Sequence, residues 1–293
     1  MDRVRSCVSM GEIGLELEWV PCPVCGEVAF HPLHKEDGWQ MVRCATCRFI
    51  YLNPRPTEEA LFRFYQTYLP EGQPSVEDWK RMMGPVFKRA ADLIERTKKG
   101  GRLLDVGAGF GFFLSEMKER GWDASGVELS QRAIDYARGV LGIDLQMGPL
   151  EKIGFKEDQF DVVSGFYVIE HLPRPMAFLR EAHRILKPKG LLLLRYPHTT
   201  PIKDLLHRFH IPNCLYDLPA HLSDFSPEMI ERCLKEAGFQ GCKHTIGGFT
   251  LPKALGKRIA SVVFGNVSEG LFCLSGQRYL LPGVSKTVLA YKG

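Results

Sequence analysis

The sequence lacks an apolar run that could span a membrane or direct secretion. Among its 293 residues no uncharged apolar stretch approaches the ~20 residues that a spanning helix needs, and residues 1–5 lead into no apolar signal core. Its 29 glycines and 19 prolines are too few for collagen or a disordered chain, and its 45% hydrophobic and 25% charged residues are ordinary for a globular protein. We therefore expect a globular, cytoplasmic protein.

The sequence also has little net charge. Lys and Arg number 38 against 34 Asp and Glu, and the formal charge of +4 is too small to imply a nucleic-acid partner. The charge is unevenly placed, because residues 243–293 contain one acid, Glu269, and seven cations: Lys243, Lys253, Lys257, Arg258, Arg278, Lys286 and Lys292. We expect any anionic partner to bind there.

Four of the nine cysteines form two CxxC pairs separated by 18 residues: Cys22, Cys25, Cys44 and Cys47. A tight CxxC turn can direct both sulfurs at one tetrahedral ion, and this spacing is typical of a four-thiolate zinc site. Redox chemistry is the alternative, but it uses one pair at a helix start, whereas both pairs here lie in strand-like runs. We predict a structural Zn²⁺ and interpret the other five as small buried residues: Cys7, Cys214, Cys233, Cys242 and Cys273.

The hydrophobic pattern divides the chain into three parts. A small zinc-ribbon-like module is predicted for residues 19–56, which end in a proline-rich stretch. Residues 57–100 have a helical pattern, with Thr57 as a cap and with aromatic and Met side chains that pack or cover the mouth of the next domain. In residues 101–293 short apolar strands alternate with helices, which predicts an α/β fold with a helix-covered parallel sheet.

A glycine-rich turn follows the first of these strands, at Gly107, Gly109 and Gly111. Such a turn brings backbone amides and a helix N-terminus against a ligand, and dehydrogenases use the same device. The dinucleotide fingerprint GxGxxG would need glycine at position 112, where Phe112 stands. Glu128, at the end of the second strand, can accept hydrogen bonds from both hydroxyls of a ribose.

Five ordered motifs carry a family resemblance: residues 103–111 (LLDVGAGFG), 127–130 (VELS), 158–163 (DQFDVV), 168–172 (VIEHL) and 186–190 (LKPKG). Together they resemble class I S-adenosylmethionine-dependent methyltransferases of the type 11, 12 and 23 groups, over roughly residues 100 to 293. The resemblance implies a Rossmann-like seven-stranded sheet with helices on both faces and the last strand antiparallel. In many relatives a zinc-ribbon-like segment precedes the catalytic domain.

The resemblance also assigns cofactor contacts. It implies that Glu128 holds the ribose, that Leu129 packs on the adenine, and that the turn cradles the methionine part through Asp105, Gly107, Ala108, Gly109 and Gly111. Relatives usually place Asp or Asn after the glycine that follows strand three, but here Pro149 follows Gly148. Adenine recognition is therefore expected from the backbone near Leu150 and Glu151. The alternative is that Asp105 and Glu128 are ordinary strand-end carboxylates.

Methyl transfer to a hydroxyl needs alignment and a base. Phe166 and Tyr167 follow strand four and are expected at the reacting centre, where their rings contact the sulfonium or simply line the wall. His171 is the first candidate base, and quinone-biosynthesis O-methyltransferases carry a similar Glu-His pair; the alternative is that Glu170 and His171 fix the helix start by hydrogen bonds. His221 is the second candidate. His198 and Tyr216 are further pocket candidates.

The acceptor class is narrowed by missing motifs. No Asp/Asn-Pro-Pro-aromatic tetrapeptide and no cysteine follow strand four, which disfavours base methylation, and the zinc module has no concentrated run of cations. We expect a small-molecule, lipid-like or sugar-linked acceptor, methylated at oxygen. Three alternatives stay open: an RNA-directed methyltransferase that uses the zinc module, a nicotinamide-dependent oxidoreductase, and a non-catalytic zinc-ribbon scaffold protein. The sequence is silent on oligomeric state.

Two insertions, residues 197–225 and 248–283, are expected to determine acceptor specificity. In the second, an apolar helical face (Leu255, Ile259, Val262 and Val263) lies opposite Lys253 and Lys257. This amphipathic pattern over residues 252–264 is typical of peripheral contact with an anionic membrane. The alternative is a surface helix that covers the pocket.

Overall fold

A computed structural model describes residues 15–67, 75–211 and 213–293 of the chain. Within these ranges we find no helix with the length and apolar character to cross a bilayer. The amino-terminal part contains β1 (Leu17–Glu18), β2 (Phe30–Glu36), β3 (Trp39–Cys44), β4 (Ile50–Leu52), β5 (Arg55–Pro56), α1 (Glu58–Thr67) and α2 (Val76–Glu95).

Strands and helices then alternate, as the sequence predicts. Their bounds are β6 (Arg102–Val106), α3 (Phe112–Glu119), β7 (Asp123–Glu128), α4 (Gln131–Leu141), β8 (Gln146–Met147), α5 (Leu150–Ile153), β9 (Phe160–Phe166), a 3₁₀ turn (Ile169–His171), α6 (Pro175–Ile185) and β10 (Leu186–Tyr196). The remainder comprises α7 (Thr200–Arg208), β11 (Ser223–Asp224), α8 (Pro227–Glu236), β12 (Phe239–Thr245), α9 (Leu255–Leu274) and β13 (Lys286–Lys292).

The main sheet has seven strands in the order β12-β13-β10-β9-β6-β7-β8. The pairings from β10 through β8 are parallel, and β13 runs antiparallel to both of its neighbours. The order reverses beside β6, so the crevice at the carboxyl ends of β6 and β9 is where an open α/β sheet binds ligands. This topology confirms the predicted fold class.

Helices cover both faces of the sheet because its central strands are apolar on both sides. Along β10, Leu192 and Leu194 join one buried cluster with α6 and α8, while Leu191 and Leu193 join the other with α2 and α3. Such continuous apolar runs are typical of parallel strands buried on both faces. The third strand of the alternating part, β8, has only two residues, and β10 has an irregularity between Leu186 and Leu191.

The amino-terminal part is joined to the first insertion by a shared sheet of order β11-β4-β3-β2. Ser223 pairs with Tyr51, and the Phe49 and Phe225 rings lie 4.9 Å apart. Lys203 on α7 forms a buried ion pair with Glu36 on β2. The cysteine-bearing hairpin and residues 197–225 are therefore packed as one unit.

The expectation that the five single cysteines are buried is wrong for most of them. Cys233 is buried in the core, but Cys214 and Cys242 are half-buried and Cys273 is exposed on α9. Cys7 lies outside the described residues.

The Glu36–Lys203 pair predicts a stability pattern. The two side chains are only 5% and 6% exposed, so Lys203→Met leaves a buried carboxylate without its partner, and we expect a loss of about 3–5 kcal/mol in the free energy of unfolding. The double variant Glu36→Leu/Lys203→Met removes both charges and is expected to recover most of this loss. Urea unfolding measures both. A double variant no more stable than the single one would contradict this assignment.

Candidate functional site

A large cavity of about 1570 Å³ opens at the carboxyl ends of β6, β7 and β9. Of the residues that the sequence singled out, these line it: Gly107, Gly109, Glu128, Leu129, Leu150, Phe166, Tyr167, His171 and His221. The structure thus brings six of the nine proposed cofactor residues and both candidate bases to one continuous space, while Asp105, Ala108 and Gly111 do not line it.

Glycine in the turn after β6 is required by the positive φ angles and, at Gly107, also by the lack of space for a side chain. Gly107 has φ of +66°, and a Cβ there would lie 2.6 Å from Val168 Cγ2, so a side chain would displace the segment after β9. Gly109, with φ of +52°, faces open space. Gly111 caps α3 with φ of +80° and packs on Ala137 of α4, so its part is structural.

Glu128 is held at the end of β7 by backbone amides. Its Oε2 accepts from Gly109 N at 2.7 Å, and its Oε1 accepts from Leu129 N at 2.7 Å and from Ser130 N at 2.8 Å. These amides fill three of the about four lone-pair sites of the carboxylate, and Glu128 lines the cavity, where the remaining site on Oε2 can accept from a hydroxyl such as that of a ribose.

Asp105 does not line the cavity. Its side chain is 2% exposed and accepts a hydrogen bond from Ser164 Oγ at 2.7 Å. Burial, with the charge of Glu128 adding to it, raises the Asp105 pKa to about 8. Ala108 also lies behind the turn, where its amide donates to Val127 O. Any effect of Asp105 on a cofactor acts through the turn rather than by lining its pocket, and its cofactor role stays a prediction.

Residues 147–151, which include the predicted adenine contacts Leu150 and Glu151, all line the cavity. The Gly148 amide donates to Glu128 O, which ties this segment to β7. Pro149 precedes α5 and contributes no donor, so the backbone of Leu150 and Glu151 is left to contact a base.

Tyr167 sits directly after β9 with φ of +57°, in the left-handed region that non-glycine residues rarely adopt. Its hydroxyl accepts from Arg195 Nε at 2.8 Å. The buried guanidinium of Arg195 also donates to the carbonyls of Ile246, Gly247 and Gly248. Sequence reasoning missed Arg195, whose only signal is a cation within an otherwise apolar strand.

His171 is fixed by a hydrogen bond across the cavity wall. Its Nδ1 lies 2.8 Å from the Ala220 carbonyl and 3.0 Å from the Tyr65 hydroxyl, which itself donates to Ala220 O at 2.7 Å. Because a carbonyl can only accept, Nδ1 carries the proton and Nε2 keeps its lone pair. Burial lowers the His171 pKa, so the ring is neutral at neutral pH.

His221 and Glu170 stand beside that imidazole. The rings of His171 and His221 are 4.7 Å apart, edge to face. Burial raises the pKa of the Glu170 carboxyl to about 8, and neither of its oxygens has a hydrogen-bond partner among the described residues. The alternative in which Glu170 and His171 fix the helix start is therefore wrong: His171 bonds to Ala220 instead. Glu170, His171 and His221 bring ligand atoms within 4.8 Å of one another, a donor set that could hold a cation.

The further pocket candidates Tyr216 and His198 do not line the cavity. Tyr216 is buried under α7, with its hydroxyl 2.9 Å from Thr200 Oγ1, and His198 is outside the cavity wall. The expectation that they line the pocket is wrong.

The cavity wall opposite the histidines is apolar. It is formed by side chains of α1 and α2: Leu61, Phe62, Trp79, Met82 and Met83. Residues of α1 and α2 therefore contribute to the cavity wall, and a lid formed by residues 57–100 stays a prediction.

The four paired cysteines converge at the base of the amino-terminal hairpin. Cys22 and Cys47 have sulfurs 3.5 Å apart, Cys25 and Cys44 have sulfurs 3.6 Å apart, and all four sulfurs lie within 4.8 Å of one another. Zn–S bonds of about 2.3 Å in a tetrahedron place sulfurs about 3.8 Å apart, so the spacing fits zinc. Burial raises the pKa of the Cys22 thiol, and a cation would be needed to hold several thiolates together here.

A family model described as a methyltransferase domain matches residues 79–244, more than half of the chain. The chain belongs to this methyltransferase-domain family. It is 29% identical over 155 residues to the ubiquinone biosynthesis O-methyltransferase of Ruegeria pomeroyi, covering 50% of this chain and 62% of that protein. For the Pseudomonas aeruginosa protein of the same name the values are 27% over 151 residues, 48% and 65%. The chain thus spans less than two thirds of these relatives.

Solved structures resemble the methyltransferase chain in fold. A SAM-dependent methyltransferase of Thermotoga maritima gives a TM-score of 0.51 at 18% identity, covering 80% of this chain and 98% of that one. The phosphoethanolamine N-methyltransferase 2 of Haemonchus contortus, in complex with S-adenosyl-L-methionine, gives 0.52 at 17% identity, covering 83% and 62%. At these identities the likeness extends to the fold alone.

Proposed function

We propose that the protein transfers the methyl group of S-adenosylmethionine to an oxygen atom of a small, lipid-like or sugar-linked acceptor. The observation that carries the proposal is one continuous cavity that has the Gly107–Gly109 turn and Glu128 at one end and a neutral His171 at the other, whose Nε2 has no hydrogen-bond partner among the described residues. Membership of the methyltransferase family and the names of the curated relatives support it.

The chain's own residues would bind the cofactor mainly through backbone and one carboxylate. Gly107 and Gly109 have no side chains, so the cofactor can approach the backbone of the turn closely, Glu128 accepts from the ribose hydroxyls, and Leu129 and Leu150 enclose the base. S-adenosylmethionine supplies an electrophilic methyl group on a sulfonium. Phe166 and Tyr167 lie beside the predicted reacting centre, where aromatic faces stabilise positive charge and exclude water.

The acceptor would enter between the helices and the histidines. The apolar wall of Phe62, Trp79 and Met82 favours an apolar body, and His171 favours a hydroxyl as the reacting group. His171 Nε2 would accept the proton of the acceptor hydroxyl, while the Nδ1 hydrogen bond to Ala220 O keeps the ring in place. His221 lies close enough to orient the same hydroxyl.

His171→Gln tests this role. Removing the base is expected to lower kcat by about 10²- to 10⁴-fold with little change in cofactor affinity. In the unsubstituted protein the rate should stay level through neutral pH and fall only below about pH 6.5, because His171 must be neutral to act and burial lowers its pKa. The assay follows labelled methyl from S-adenosylmethionine into an organic extract of the source cells, with mass spectrometry of the product.

The matched control is His31→Gln, an exposed histidine on β2 away from the cavity, which should leave the rate unchanged. Equal rates for His171→Gln and the parent, or a product methylated at carbon or nitrogen, would contradict O-methylation with His171 as base.

We further propose that residues 19–56 form a zinc-ribbon-like module that binds one Zn²⁺ through Cys22, Cys25, Cys44 and Cys47, with 57–100 as a lid and 101–293 as the catalytic domain. The sulfur spacing supports the metal. Because β4 pairs with β11, the metal would stabilise the segment that carries Ala220 and His221, and so the acceptor end of the cavity.

Cys44→Ser is expected to lose the zinc and to lower the thermal midpoint, while cofactor affinity changes little because Glu128 and the turn after β6 belong to a different sheet from Cys44. Cys242→Ser, a half-buried cysteine outside the cluster, serves as control. Elemental analysis, thermal unfolding and calorimetry measure the three quantities. A Cys44→Ser protein with full zinc content, or one that loses only cofactor binding, would contradict the assignment of zinc binding to residues 19–56 and of cofactor binding to residues 101–293.

A further inference from the structure

Helix α9 is packed with its apolar side outwards. Apart from Phe272, which is buried near the end of the helix, its inward positions are mostly small or polar. Gly265 packs on Phe249, Ser261 Oγ donates to Thr250 O at 2.6 Å, and Glu269 lies 4.0 Å from Arg89. A surface helix of a globular protein normally turns its apolar stripe to the core. Here the polar side is used for that contact.

The outward side carries large apolar residues along the whole helix. Exposed fractions are 70% for Leu255, 56% for Ile259, 52% for Val263, 60% for Phe264, 48% for Val267, 38% for Leu271 and 88% for Leu274. Among the described side chains of α9, every exposed one is apolar or small except Asn266. Twenty residues span about 30 Å, so this is a long uncharged strip rather than scattered exposure.

The sequence predicts a shorter apolar surface, over residues 252–264. In the structure Leu255, Ile259 and Val263 are exposed, as this prediction requires, but Val262 is half-buried and the apolar strip continues to Leu274. The side chain of Lys257 lies outside the described residues. The alternative, a helix that covers the pocket, is wrong for α9, because the cavity wall includes Thr250 before the helix but no residue of α9.

The charged residues near the apolar strip indicate which kind of partner covers it. Of the cations of residues 243–293, Lys286 is buried and Lys292 pairs with Asp158, so neither acts at the strip. Lys253, which pairs with Asp78 but keeps its side chain 71% exposed, and the exposed Arg278 lie at the two ends of α9, and Glu269 faces Arg89. A second copy docked antiparallel through a two-fold axis would bring these cationic ends against each other. An anionic lipid surface offers both apolar depth and the opposite charge.

We propose that the outward face of α9, residues 255–274, rests on the surface of a bilayer that contains anionic phospholipid. The described helices lack a span, so the contact is peripheral, with the apolar strip at the boundary between headgroups and acyl chains. The entrance loop at Thr250 connects α9 to the cavity wall, which places the cavity next to the lipid surface. The proposal concerns binding and holds whichever acceptor is methylated.

Vesicle flotation with the full chain tests it. The protein should float with vesicles of phosphatidylcholine and phosphatidylglycerol, and less with phosphatidylcholine alone. The triple variant Ile259→Gln/Val263→Gln/Phe264→Gln keeps charge and helix propensity and is expected to weaken binding about tenfold or more. Val140→Gln, on the exposed face of α4, is the matched control and should float normally.

Three results would overturn the proposal: the parent protein fails to float with anionic vesicles, the triple variant floats as well as the parent, or the triple variant abolishes a concentration-dependent dimer in sedimentation without any lipid binding. The last would assign the strip to a second copy. Unchanged thermal midpoints show that the variants fold, and calorimetry with S-adenosylmethionine on the same samples keeps failure of lipid binding separate from failure of the proposed cofactor site.

Discussion

Three backbone amides converge on the carboxylate of Glu128, and the geometry of the site depends on that contact. Gly109 N from the turn after β6 and the amides of Leu129 and Ser130 after β7 all donate to it. The contact holds two strand ends at a fixed separation, and the absence of a side chain at Gly107 lets the segment after β9 close against them. Three strands thus contribute to one crevice at the point where strand order reverses.

The other half of the cavity depends on a part of the chain far away in sequence. Ala220 O receives the hydrogen bonds of His171 and Tyr65, and the residues just after it form β11, which pairs with β4 of the cysteine-bearing hairpin. The Glu36–Lys203 pair closes the same contact from the other side. The amino-terminal strands therefore support the segment that carries Ala220 and His221, although no residue of 19–56 lines the cavity.

Much of the fold could be predicted from sequence because its signals are local. The apolar runs at 103–106, 160–163 and 191–194 and the glycine turn identify a parallel sheet with its crevice, and the family motifs add strand order. The two-residue pairing of β11 with β4 has no local signal, since it lies inside an insertion and depends on tertiary contacts. Asp105 is at the predicted strand end, but the alternation along β6 turns its side chain to Ser164 rather than to the cavity. For α9 the sequence predicts an apolar strip but not whether this strip faces the core or the surface, because its orientation depends on the packing of Gly265 on Phe249.

The most direct test of this account is a crystal structure of the protein with S-adenosylmethionine. We expect the ribose hydroxyls on the Glu128 carboxylate, the adenine beside Leu129 and Leu150, and the sulfonium methyl directed towards Tyr167 and His171. A cavity that stays empty at saturating cofactor, or a nucleoside bound away from Glu128, would contradict the central claim that this crevice is a methyl-donor site.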